Sequence, residues 1–137
     1  MEITFQASDL WGILPVLLLM VFASVAALME VFAKPEGSRS FIAGFSVVGC
    51  VLALATSYWQ WKGIEGAFQV PLFGKMLVMD AFSTFFNMIF IAGAMLACLL
   101  GARYLREHNA DFGEYYALVL FSAAGMGLMV QSRDLIV

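Results

Sequence analysis

Four long stretches without a charged residue set the strongest constraint on this chain. The first three are 20 to 22 residues long and the fourth has 17, and they cover Leu10–Met29, Phe41–Trp61, Ala81–Ala102 and Tyr115–Gln131. At about 1.5 Å per residue, about 20 helical residues cross the roughly 30 Å hydrocarbon core of a bilayer. The pattern predicts an all-α integral membrane protein with four transmembrane helices, of which the fourth must stand nearly upright or extend at its ends.

Composition supports a bilayer as the main solvent. Of 137 residues, 63% are hydrophobic and 12% are charged, against roughly 45–50% and about 25% in ordinary soluble domains. This excludes a soluble globular protein. With so few basic residues and a net charge of −3, the expected partner is the lipid bilayer, and no nucleic acid is expected to bind.

The helix ends can be placed approximately, over 10–33, 41–61, 81–105 and 115–131. Ser8 or Asp9 is a candidate N-cap for the first helix, because both side chains can accept a hydrogen bond from the first turn. The helix should end before Pro35. The Pro, Gly and Ser residues of Lys34–Ser40 predict a short turn between two antiparallel helices.

A short β-hairpin is predicted over 63–79, lying on the membrane surface after an interfacial cluster of aromatic residues at 58–61. The segment is too rich in Gly and Pro for a helix. Its two apolar pieces, 67–70 and 75–79, are separated by Pro71 and Gly74 and could pair as strands.

Orientation follows weakly from the basic residues near the helix ends. An N-terminus outside the cell places four of them in the cytoplasm and three outside, which agrees with the usual excess on the cytoplasmic side. We therefore expect a multi-pass protein with its N-terminus outside.

Few polar groups lie at membrane depth, where an unpaired charge is costly. Glu30 is the candidate site residue, and two interpretations are open: a structural ion pair with Lys34, four residues on, or a place on a proton path. Asp80 is expected to cap the third helix. Asn87 is expected to hydrogen-bond a neighbouring helix.

Small residues recur at four-residue spacing in the last two helices. Gly93, Ala97 and Gly101 share one face of the third helix, and Ala123 and Gly127 share a face of the fourth. Such spacing favours close approach of helices in lipid, although it is also common in membrane helices generally.

No catalytic, cofactor or metal site can be assembled from the sequence. Cys50 and Cys98 lie in apolar runs without a CxxC pattern and are interpreted as core residues, and His108 is the only histidine. No Gly-rich phosphate loop precedes a helix. Catalytic, cofactor-binding and metal residues are therefore all predicted to be absent.

The last residues favour a longer protein. Ser132 or Asp134 could cap a fifth apolar helix that starts at Leu135 and is cut off at Val137. The alternative is that 135–137 simply finish the fourth helix.

Two segments resemble a known family, the antiporter-like membrane subunits of respiratory complex I, and within it most closely the subunit N branch, although the M and L branches share the plan. The segments are KMLVMDAFSTFFNMIF (75–90) and EYYALVLFSAAGMGLMVQSRDLIV (114–137). The most specific pieces are the entry into the third helix and the run from 114 into a Gly/Ala/Met helix, and their marker residues are Val78, Asp80, Phe82, Asp134 and Leu135.

The resemblance implies a fragment of a 14-helix subunit in the bacterial inner (plasma) membrane that moves protons while other subunits oxidise NADH and reduce quinone. NADH, FMN, iron–sulfur clusters and quinone would belong to those other subunits, which are the implied partners. The family's proton path uses a glutamate on helix five and lysines on later helices. None of these positions exists here, because the three lysines of this chain all lie in predicted loops, so no functional residue carries over.

Two other classes stay open on sequence alone. A small four-helix proton-coupled exporter would have a similar length and a glutamate in its first helix, but that glutamate would lie at mid-membrane, whereas Glu30 lies near the end of its span. A purely structural four-helix membrane protein is the third possibility.

Overall fold

Four helices and one small hairpin make up the structure, a computed structural model that describes residues 7–34, 39–64, 70–109 and 112–132. The helices are α1 (Ala7–Phe32), α2 (Ser40–Gly63), α3 (Ala81–Glu107) and α4 (Glu114–Gln131). Within the described ranges, three helices, α1 to α3, are long and apolar enough to cross a membrane. The expected all-α membrane architecture is confirmed.

The fourth helix is the shortest of the four described helices. Its 18 residues reach about 27 Å at 1.5 Å per residue, slightly less than the hydrocarbon core, and it is not among the helices that meet the length and apolarity of a span. It packs along α1 and α3. Four spanning helices were expected. By length and composition, α1, α2 and α3 meet this expectation.

The start of α1 differs from the sequence-based expectation. The helix already includes Ala7, so Ser8 and Asp9 lie in its first turn and neither is the N-cap. A carboxylate there is still favourable, because it lies near the positive end of the helix dipole. At the other side of the bundle, α3 continues to Glu107, so the beginning of the polar connection after it is helical.

The helices form an antiparallel ring in which α1 and α3 each contact both α2 and α4. Buried leucine and isoleucine side chains fill the centre, and many alanines line the contacts between helices. Because helix association in lipid depends on packing, small residues at these contacts let the backbones approach closely.

The hairpin consists of β1 (Val70–Leu72) and β2 (Leu77–Met79), which pair antiparallel across a 3₁₀ turn at 73–75. Pro71 was expected to separate the two strands, but it lies inside β1. In a two-stranded sheet every strand is an edge, where a proline is tolerated. The turn includes Gly74 with φ of 65°, a conformation that costs glycine little.

The hairpin closes one end of the bundle, called here the hairpin end, where α1 and α3 begin and α2 and α4 end. The Leu72 side chain lies against Gly12 of α1, in the space that a β-carbon would need. Strand β2 also bridges to Ser132, just after α4. The opposite end, which carries the α1–α2 and α3–α4 connections, is called the turn end.

Candidate functional site

At the turn end, Glu30 is held in an ion pair. The Arg39 Nε lies 3.0 Å from Glu30 Oε1 and 3.1 Å from Oε2, and both side chains are mostly buried. The prediction of an ion pair between Glu30 and Lys34 was wrong. Helix α1 ends at Phe32, so Lys34 does not continue the helical face of Glu30, and Arg39 at the start of α2 reaches the carboxylate instead.

The Glu30 carboxylate also faces the beginning of α4. A β-carbon on Gly113, the N-cap residue of α4, would collide with Glu30 Oε2 and would lie 2.8 Å from Ile42 Cδ1. Glu30 therefore lies between the Arg39 guanidinium and the N-terminus of α4. The site joins α1, α2 and α4.

Asp80 caps α3 as the sequence predicts. Its Oδ1 accepts from the Ser83 backbone N–H at 2.7 Å, while Ser83 Oγ accepts from the Asp80 N–H at 3.0 Å. This reciprocal pair is a capping box, which satisfies two backbone donors. Asp80 thus has a structural role at the helix entry.

The middle of the bundle has no acidic or basic side chain among the residues described. The buried residues around Leu19, Ile91 and Leu120 are apolar, with Cys50 among them. No group of three His, Cys, Asp or Glu side chains gathers in the described ranges in a way that could hold a metal ion. His108 is exposed on α3's end and stacks on Tyr104.

Below the hairpin, two buried glutamines donate to backbone carbonyls of α1, and one of these carbonyls is freed by a proline. Pro15 has no N–H, so the Trp11 carbonyl, its partner in a regular helix, is left free. Gln60 Nε2 of α2 donates to this carbonyl. Gln131 Nε2 of α4 donates to the next carbonyl, that of Gly12, at 3.2 Å.

Further polar side chains surround these two, and all of them are at least 98% buried. We call the set the polar layer, and it consists of Ser57, Gln60, Thr84, Asn87 and Gln131. The expected hydrogen bond from Asn87 to a neighbouring helix was wrong: neither atom of its amide has a hydrogen-bond partner among the described residues. Asn87 packs instead against Gly127, where a β-carbon would lie 2.6 Å from its Oδ1.

Sequence reasoning missed the two glutamines. Gln60 lies within the aromatic cluster that was interpreted as an interface, and Gln131 was interpreted as the end of a span. The signal that could have found Gln60 is Pro15, because a proline inside a membrane helix needs a donor from a neighbouring helix at the same depth.

The small residues of α3 divide into two kinds of contact. Gly101 lies against the Tyr115 ring of α4, whose hydroxyl donates to the Ala97 carbonyl at 3.1 Å. A β-carbon on Gly93 would meet nothing within 4 Å. Gly93 lines an open apolar groove of about 560 Å³ between α3 and α4, so part of the predicted close contact is formed and part is not.

The two cysteines lie together in the core. Cys50 of α2 and Cys98 of α3 are free and fully buried. Their position agrees with the interpretation of both as packing residues.

Comparison with known proteins decides between the possible families. NADH-quinone oxidoreductase subunit N 1 of Solibacter usitatus is 35% identical over 132 residues, covering 96% of this chain and 26% of its own length. Subunit N of Myxococcus xanthus is 38% identical, with 94% and 24% covered. This chain is therefore similar to subunit N of NADH-quinone oxidoreductase. Subunit N of Chloroflexus aggregans, 32% identical over 99% of this chain, agrees.

The similarity extends over nearly the whole of this chain, and the chain spans about a quarter of the length of these relatives. No family model matches the sequence, and no solved structure matches it. The resemblance to the subunit N branch is thereby confirmed.

Proposed function

We propose that this chain is part of a membrane subunit of a proton-translocating NADH:quinone oxidoreductase and that its helices pack beside the proton path without carrying protons themselves. The observation that carries the proposal is the 35% identity with a subunit N over 96% of the chain. The bundle centre has no charged side chain among the described residues. This supports the proposal that the helices carry no protons, because a proton path needs titratable groups that are connected directly or through water.

In this account Glu30 is structural. Its carboxylate is paired with Arg39 at the turn end. The bundle core beyond it is apolar up to the polar layer, apart from the buried Ser46, whose hydroxyl donates to the Ile42 carbonyl within α2. Between Glu30 and the polar layer, the described core contains no further Asp, Glu, Lys, Arg or His side chain. In this proposal, FMN, the iron–sulfur clusters, NADH and quinone bind to other subunits of the assembly. Those subunits are the partners of this chain.

The exporter alternative has no observation in its favour. Its central requirement is a membrane-embedded carboxylate that can alternate between protonated and ionised states. The Glu30 carboxylate instead lies near the end of α1, in an ion pair with Arg39.

The proposal places the protein in the bacterial inner membrane with its N-terminus outside. The test uses intact cells and a variant in which Cys50 and Cys98 are replaced and one new cysteine is introduced. An impermeant thiol reagent should then label a cysteine that replaces Met76, an exposed residue of the hairpin. It should not label one replacing the exposed Phe112 at the turn end. The reverse labelling pattern would contradict the orientation.

Affinity purification tests the proposed assembly. The protein is tagged at its chromosomal locus, extracted from the membrane in mild detergent and analysed by mass spectrometry and by NADH:quinone oxidoreductase activity. We expect the other subunits of the oxidoreductase and its activity to co-purify. Recovery of the tagged protein alone, with the oxidoreductase activity in a separate fraction, would refute the proposal.

A further inference from the structure

The polar layer has more hydrogen-bonding capacity than its protein contacts use. Five side-chain atoms, all buried, have no partner among the described residues. They are Ser57 Oγ, Thr84 Oγ1, Asn87 Nδ2, Asn87 Oδ1 and Gln131 Oε1. Buried polar atoms are nearly always satisfied, because leaving them unpaired in an apolar environment is costly. Five of them in one part of a membrane bundle therefore point to a ligand.

Helix geometry places these atoms at two adjacent depths. Gln60, Gln131 and Gly12 meet through hydrogen bonds near the hairpin, and Thr84 is one turn from Asn87 on α3. One turn deeper, Asn87 contacts Gly127, which precedes Gln131 by four residues, and Ser57 precedes Gln60 by three. Residues three or four apart share a helix face, so the polar side chains of α2, α3 and α4 converge on the same region.

Apolar side chains bound the layer on both sides. The next turn inward consists of Leu19, Ala53, Ile91 and Ala123, all at most 1% exposed. Towards the surface, the hairpin cluster of Ile64, Leu72 and Met79 lies above it. The layer is an enclosed polar region that ends at an apolar core.

We propose that the polar layer binds ordered water, about two molecules if each makes the roughly three hydrogen bonds typical of buried water. The unpartnered atoms include the Asn87 amide N–H donors as well as acceptor oxygens, and water can accept from the former and donate to the latter. A metal cation fits less well, because it would leave the amide donors unpaired and the layer contains no carboxylate to balance its charge. The inference does not depend on the proposed function.

The bound water also has a limited reach. Because the apolar core begins one turn below Asn87, the water forms an enclosed cluster and no continuous chain to the turn end. Hydration of this layer is thus compatible with a bundle that carries no protons.

A density map of the full-length protein in its native membrane assembly, at a resolution that shows ordered water, tests the proposal. We expect peaks within hydrogen-bond distance of both Asn87 Nδ2 and Thr84 Oγ1. Direct pairing of these atoms with another side chain or segment, with no peak beside them, would overturn the proposal. So would a peak with the short, regular coordination of a metal ion.

A pair of threonine variants provides a second test. Thr84→Val removes a hydroxyl that water would use, whereas Thr56→Val removes one that bonds only within its own helix, to the Ala53 carbonyl at 2.9 Å. If water is bound, Thr84→Val should lower the midpoint of thermal unfolding by on the order of 2–4 °C more than Thr56→Val does. If the layer is dry, Thr84→Val removes an unsatisfied group, and a midpoint equal to or above that of Thr56→Val would contradict the proposal.

Discussion

Pro15 explains why Gln60 is buried in a membrane bundle. It frees a carbonyl in the second turn of α1, and donors from α2 and α4 reach this carbonyl and its neighbour. In water the freed group would be hydrated, but at membrane depth neighbouring helices must satisfy it. A residue that weakens one helix therefore determines which side chains its neighbours must present.

A double-mutant cycle tests this coupling between Pro15 and Gln60. Gln60→Leu leaves the Trp11 carbonyl buried and unpaired, which should cost roughly 1–3 kcal/mol of unfolding free energy. In a Pro15→Ala background the helix supplies its own N–H, so the same substitution should cost clearly less. The comparison uses unfolding of the purified protein in detergent. Equal costs in the two backgrounds would show that Gln60 does not compensate for the proline.

The sequence predicts the role of Asp80 at the entry of α3 but does not predict the partners of the buried side chains. The Asp80 cap depends on residues three apart in the chain, so the local pattern suffices. The partner of Glu30 depends on where α1 ends and on how α2 folds back, and the local spacing to Lys34 was misleading. Gln60 donates to backbone carbonyls of α1 that are 48 to 49 residues away in the chain. These acceptors cannot be found without knowing how α1 and α2 are aligned along their lengths.

Helices α3 and α4 are packed closely over only part of their length. Near the turn end the Gly101–Tyr115 contact brings the two helices together, while around Gly93 they leave an apolar groove. Spacing alone cannot distinguish these two glycines, because both belong to the same stripe on α3. Which of them is covered depends on the position of the large side chains on α4.

Alanine substitutions at the two glycines form a matched pair. Gly101→Ala places a methyl group into the Tyr115 ring, and overpacking of this kind costs about 1–3 kcal/mol. Gly93→Ala meets open space within the bundle and should leave its stability unchanged or slightly raised, since alanine favours helix more than glycine does. Thermal unfolding measures both. A larger loss for Gly93→Ala than for Gly101→Ala would contradict the described packing.

The charge-free stretches predicted the positions of all four helices, and the Gly- and Pro-rich segment predicted the hairpin region. These features follow from the solvent that each segment can tolerate, and that is a local property of the sequence. The position of Pro71 inside a strand was not predictable in the same way, since it depends on which edge of the hairpin is left unpaired.

For the whole molecule, the account is that of a membrane bundle whose polar groups are placed at its two ends. The ion pair of Glu30 and Arg39 holds the turn end, and the polar layer lies beneath the hairpin at the other. The apolar core between them separates the two polar regions. In a proton-translocating assembly, such a bundle would support neighbouring helices without conducting.

Proton pumping by a Glu30→Gln variant tests this claim most directly. The variant keeps the shape of the side chain but removes its negative charge, so the pair with Arg39 is weakened and some loss of assembled protein is expected. In membrane vesicles, the number of protons pumped per NADH oxidised by the oxidoreductase is compared with that of the unmodified protein, after correction for the amount assembled. The account predicts an unchanged ratio. A lower ratio at an unchanged rate of NADH oxidation would place Glu30 on the proton path and contradict it.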